Sequence, residues 1–285
     1  MRAPRLRARS VGFSLVELSV VFTIVAFLLG SLMYTLSAQV EQRNFEDTRR
    51  RLEQARELLL SFAIVNGRMP CPARYASATS HSQGLESFCA AAATSTTSTC
   101  GGSETTTLQT HGTCSNHYDG FLPAASIGYS QTDASGFAID AWGNRIRYAV
   151  SRMPANCSGA VTPPNAYTTM FTSKSDLQTY GISCQPNDLI VCRSATGITS
   201  TDCANAASRI MAPSLVVGIV FSTGKNATSS GGTGADEAAN LNGDRVFVFH
   251  TPTPAGAIGG EFDDQFTWIT AGELYGKLIA AGVLP

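Results

Sequence analysis

One carboxylate stands alone at the head of a long apolar run. Glu17 lies in Gly12-Phe13-Ser14-Leu15-Val16-Glu17-Leu18, and from Leu18 to Val40 no side chain carries a charge. About twenty apolar residues cross a bilayer as a helix. A charged carboxyl inside such a span costs roughly 2.5–3.5 kcal/mol, so an acid at this position marks a function. Its natural chemistry is charge pairing. Ahead of it come Arg2, Arg5, Arg7 and Arg9, with no acid among them. A secretory signal has an apolar core of 7–15 residues and an Ala-x-Ala-like cleavage site. Here the run is longer, and the nearest small-residue site, Leu36-Ser37-Ala38, begins with a bulky Leu. A plain anchor explains the run but not Glu17.

Other reactive types are sparse. The histidines are His81, His111, His117 and His250, and no Gly-x-Ser-x-Gly elbow occurs. Gly218 to Asn226 resembles a phosphate loop only on the surface. Five residues separate its glycines instead of four, and Asn226 stands where Ser or Thr is needed. His111-x-x-Cys114-x-x-His117 has ligand-like spacing, but zinc would need a free thiolate and a fourth ligand. Asp236, Glu237, Asn240, Asn242 and Asp244 offer oxygens of the kind calcium accepts, yet a polar turn explains the same residues. The expectation is therefore no enzyme, no cofactor and no metal.

All eight cysteines follow Gly67: Cys71, Cys89, Cys100, Cys114, Cys157, Cys184, Cys192 and Cys203. An even count on one side of an apolar helix predicts disulfides in an oxidising compartment. Eight cysteines allow 105 pairings. Local spacing favours Cys192–Cys203 first and Cys157–Cys184 next, which leaves Cys71, Cys89, Cys100 and Cys114 to pair among themselves. The leader arginines place the N-terminus in the cytoplasm. Charged residues make up 14% of the 285-residue chain and the net charge is −1, which gives no polybasic surface for nucleic acid.

These residues need elements to hold them. No proline occurs between Pro4 and Pro70. Phe45, Leu52, Ala55, Leu59 and Phe62 recur at helical spacing, with Glu46–Arg50, Asp47–Arg51 and Arg49–Glu53 at i,i+4 on the other face. One helix from about Phe13 to Val65 is predicted, stopped at Asn66-Gly67. Residues 73–119, with their Ala and Thr tracts, predict a long loop tied down by Cys89, Cys100 and Cys114. Gly136–Ile139 and Arg145–Val150 flank Asp140-Ala141-Trp142-Gly143-Asn144 as a hairpin. Leu215–Phe221, Arg245–His250 and Asp264–Ile269 read as strands, and Glu273–Ala281 as a helix. The fold class is α+β: a long N-terminal helix, its first half spanning a membrane, packed on an antiparallel β-sheet with long disulfide-tied loops.

The basic leader, the Gly12-Phe13 junction, Glu17 and the adjoining apolar helix resemble, in register, the prepilin signature of type IV pilins and type II secretion pseudopilins. Asp140-Ala141-Trp142-Gly143-Asn144 with Tyr148 resembles a segment of the major pseudopilins. The resemblance covers residues 1–40 well and residues 140–148 locally. It implies cleavage after Gly12 by a prepilin peptidase, N-methylation of Phe13, and a role for Glu17 in assembly. The implied organisation is leader 1–12, transmembrane part of the helix 13–38, amphipathic part 39–66, and a periplasmic or extracellular pilin-like domain 67–285. The implied location is the bacterial inner membrane, crossed once, with other pilins as partners. Family pilins often carry a proline about twenty residues after the cut, and none stands here. The larger body favours a minor subunit. The alternative is a tip-located binding module, an adhesin or a DNA-uptake or cargo-binding pilin using the 73–119 loop. An anchored enzyme comes third.

Overall fold

The computed structural model describes residues 12, 14–77, 80–92, 100, 102–152, 154–155, 169–227, 234–257 and 259–284; for 31–37, 76–77, 80–81 and 154–155 it describes the backbone only. The chain divides into two compact units, Met1–Glu46 and Asp47–Pro285.

Helix α1 runs from Leu15 to Asn66 without interruption, as the absence of proline requires. Asn66 donates its side-chain amide to the Phe62 carbonyl at 3.0 Å. Gly67 then takes φ +71°, a left-handed conformation open to glycine, and the helix ends. Within the second unit one stripe of α1 is buried: Leu52, Ala55, Leu59, Leu60 and Ala63 are at most 2% exposed. Each large side chain of this kind contributes about 1.5–3 kcal/mol by leaving water. Phe62 is half-buried against the same core, and Phe45, in the first unit, is half-buried. The polar face departs in detail from simple i,i+4 spacing. Arg51 reaches Asp47 at 2.8 Å, but Arg50 also turns to Asp47, at 3.7 Å, and Glu53 meets Arg56.

The stripe packs on a four-stranded antiparallel sheet. With β1 Gly120–Phe121, β2 Arg147–Val150, β5 Val216–Ser222 and β7 Gln265–Thr270, its order is β7-β5-β2-β1. Every residue of β5 is buried, because the sheet is covered on both faces. Val217 and Val220 join the α1 core, while Val216, Ile219 and Phe221 join a second core. That second core is supplied by β3 Ile190–Cys192, β4 Arg209–Met211 and β6 Val246–Val248, in the order β4-β3-β6. The four-stranded sheet is antiparallel throughout, as expected; in the second sheet β3 and β6 run parallel, while β4 and β3 are antiparallel. A parallel pair needs a long crossover, and the chain between Cys192 and Val246 provides it. Helix α2 spans Lys174–Tyr180, α3 spans Ala235–Ala239 and α4 spans Ala271–Ala280.

Two expectations are corrected. The described part of 73–119 is tied down through Cys89, Cys100 and Cys114 as expected, but it buries more than its composition predicts. Phe88 (1% exposed), Cys114 (1%) and Tyr118 (8%) are core residues. Composition misleads because polar groups do the anchoring. The Arg68 guanidinium, itself buried, donates to both oxygens of Glu86 at 2.6 and 2.9 Å, and Glu86 Oε1 also accepts from the Cys71 amide. Short ribbons pair Tyr75–Ser77 with Ser80–His81 and Phe88–Cys89 with Glu104–Thr105. Gly136–Ile139, likewise, is not a strand; only single bridges, Thr132 to Ala138 and Ile139 to Arg145, occur there. The turn is organised instead by the buried Asp140 side chain. Its Oδ1 accepts from the Trp142 and Asn144 amides at 2.9 and 2.8 Å, and its Oδ2 accepts from Ser222 at 2.6 Å. Burial raises the Asp140 pKa, opposed by these hydrogen bonds. Arg51 and Thr48 of α1 bond the same turn through the Asp140 carbonyl and the Ala141 amide.

Cys71 is bonded to Cys114, Cys89 to Cys100 and Cys192 to Cys203. Cys184 is also in a disulfide, and Cys157 lies outside the described residues.

Candidate functional site

The first turns of α1 carry the residues singled out at the N-terminus. Gly12 is exposed, and a Cβ built there would meet nothing within 4 Å. Phe13, the implied cleavage partner and methylation site, lies outside the described residues. Ser14 opens the helix. Its Oγ accepts from the Val16 amide at 3.2 Å, while its own N–H donates to Glu17 Oε2 at 2.9 Å. This is a capping box, Ser-x-x-Glu, in which two amides without intrahelical partners are satisfied reciprocally. Glu17 therefore has a local partner that the apolar pattern did not reveal, although the Ser14–Glu17 spacing was there to read.

Beyond it, the side chains from Leu15 to Leu29 are exposed all round the helix. Large apolar residues here, among them Leu15, Phe22, Phe27 and Leu29, are 42–85% exposed. The intervening hydroxyls turn inward: Ser19 donates to the Val16 carbonyl and Thr23 to the Ser19 carbonyl, both at 2.8 Å. A helix apolar on every face is stable only when something apolar surrounds it. Internally bonded hydroxyls suit the same surroundings. Among the described residues, no helix is long and apolar enough to cross a membrane. The side chains of residues 31–37, inside the uncharged run, lie outside those described.

The other candidates are explained locally. Cys114 is in a disulfide, and buried His117 accepts the Cys114 amide on Nε2 at 3.2 Å. Burial, and then the Arg152 charge, lower the His117 pKa to about 3, so the imidazole is neutral. His111 Nδ1 accepts from the Thr113 amide, and burial lowers its pKa as well. At the turn after β5, where Gly224 has φ +63°, the Lys225 amide donates to Asp263 Oδ2 at 2.9 Å. A carboxylate thus occupies the place where a phosphate loop would hold an anion.

The acidic stretch after residue 235 is split. Asn242 and Asp244 bond one another, and Asp236 bonds Ala195 and His250. Glu237 instead joins Asp263 and Asp264, residues the sequence pattern did not connect with it. One carboxylate oxygen from each lies within 4.8 Å of the others. All three are buried. Asn226 donates to both Glu237 oxygens, and Asn240 donates to Asp264 Oδ2 at 2.7 Å. Burial, with Glu237 adding repulsion, raises the Asp263 pKa to about 6; burial also holds Asp264 well above the carboxylate range. Three buried acids at this spacing retain a proton or take up a cation.

Comparison of the chain with family models, with curated proteins and with solved structures finds no match.

Proposed function

We propose that this chain is a pilin-like assembly subunit, a minor pilin or pseudopilin of a type IV pilus or a type II secretion system. The observation that carries the reading is the first half of α1. It is apolar on every face and uncovered along its described side chains, and one carboxylate stands at its head, five residues after an open glycine. The second unit supplies its own cores and disulfides, which fits a body held outside the cytoplasm.

In this reading the leader is cut between Gly12 and Phe13 and the new Phe13 amine is methylated. The helix anchors the chain in the inner membrane and then packs among the helices of other subunits. Glu17 pairs with a Phe13 amine, neutralising both charges in a low-dielectric setting and fixing axial register. The chain acts as a structural subunit and not as an enzyme. Intact-mass measurement of membrane-extracted protein tests the reading. The expected species begins at methylated Phe13; a chain beginning at Met1 or Gln39 refutes it.

A further inference from the structure

His250 has an acceptor on each ring nitrogen. Nδ1 lies 2.7 Å from the Thr251 carbonyl oxygen, and Nε2 lies 3.1 Å from Asp236 Oδ2. A neutral imidazole offers one donor and one acceptor, whereas an imidazolium offers two donors. A carbonyl can only accept. Asp236 is also accepting elsewhere: its Oδ1 takes the Ala195 amide at 2.5 Å and the Ser194 hydroxyl at 3.3 Å. Both contacts of the ring are therefore satisfied together only when it carries two protons.

The pair sits at a junction. Asp236 lies in the first turn of α3, while Ser194 and Ala195 lie in the loop closed by the Cys192–Cys203 disulfide. The His250 ring stacks on Phe262 with centroids 4.0 Å apart, and about three-quarters of its side chain is shielded from water. We infer that His250 is a protonation-dependent latch: as imidazolium it holds Asp236 in the position that fastens the Cys192–Cys203 loop to α3. Loss of one proton leaves the ring a single donor for two acceptors and removes the charge that strengthens its bond to Asp236, so Asp236 and the loop it fastens are held less firmly. Histidine is the side chain whose charge changes within the pH range 5–8. The inference does not depend on the pilin reading.

The elements packed around the ring carry other charged groups: Asp236 and Glu237 on α3, Glu261 and Asp263 flanking Phe262, and Arg193 in the loop. The test must separate them from His250. Amide hydrogen exchange is measured on the full chain at pH 5.5 and pH 8, corrected for intrinsic rates, for the peptide containing Ala195. Protection in α4 serves as the check on folding. The expected result is at least tenfold greater protection at pH 5.5 in the wild type. His250→Asn should show low protection at both values, with no step, and Asp263→Asn should keep the step. A flat wild-type profile overturns the latch. So does a step that survives in His250→Asn or disappears in Asp263→Asn.

Discussion

Glu17→Gln and Glu17→Val together separate two roles that one side chain combines. The carboxylate closes a capping box with the Ser14 amide at 2.9 Å, and in the proposed function it also pairs with an amine. Gln can close the same box, since its amide oxygen still accepts from Ser14, but it carries no charge. Val does neither. Losing the capping bond costs about 1 kcal/mol. Losing a hydrogen bond to a charged group costs about 1.5–3 kcal/mol, or roughly 10- to 150-fold in an association constant. Insertion should not suffer in either variant, because removing a charge from an apolar helix relieves up to about 3 kcal/mol. Both variants should therefore reach the membrane and lose their leader, since the Gly12-Phe13 junction is untouched. Both should lose assembly by tenfold or more, with Val slightly worse than Gln. The assay is cross-linking to partner subunits in membranes, with leader removal scored by intact mass on the same sample. If Gln assembles like wild type while Val does not, Glu17 works as a helix cap and the charge-pairing reasoning fails. If both assemble normally, Glu17 has no part in assembly.

Three further outcomes follow from individual sites. Gly12→Val should retain the leader, because a β-branched side chain obstructs a protease at an otherwise open backbone position; intact mass showing a normal cut would contradict this. Glu86→Gln leaves the Arg68 guanidinium buried without its charge partner, which typically costs about 3–5 kcal/mol. In a domain of this size that lowers Tm by roughly 6–20 °C, and a shift under 3 °C in calorimetry would count against the pair as an anchor. Asp263 has a folded pKa raised to about 6, above its unfolded value, so the folded state binds more protons and stability falls as pH rises from about 4 to about 6. Asp263→Asn should remove that slope and add roughly 1–3 kcal/mol above pH 6.5; thermal melts showing equal pH dependence in both proteins would refute it.

What the sequence revealed and what it hid follow one physical divide. Apolar periodicity reported the parts held by apolar burial: the Leu52-Ala55-Leu59 stripe, the β5 run from Val216, and the strand ending at Thr270. Short-range cysteine spacing reported Cys192–Cys203 because only eleven residues separate the two. Polar anchoring left no such trace. Glu86 and Arg68 are eighteen residues apart, and neither is recognisable as buried from its type. Glu237 meets Asp263 across twenty-six residues, and the adjoining Asp264 with it, through contacts that only the folded second unit creates. His250 and Asp236 are fourteen residues apart and are brought together in the same way. The α1 helix combines both cases. Its composition is legible throughout, but the change from uncovered apolar residues to a buried stripe falls in the charged stretch from Glu41 to Glu53, where the two units divide. From there on the helix buries Thr48 and Leu52 and bonds the Asp140 turn through Arg51. A helix that needed only to anchor the chain would not require that second half to be part of the body's core.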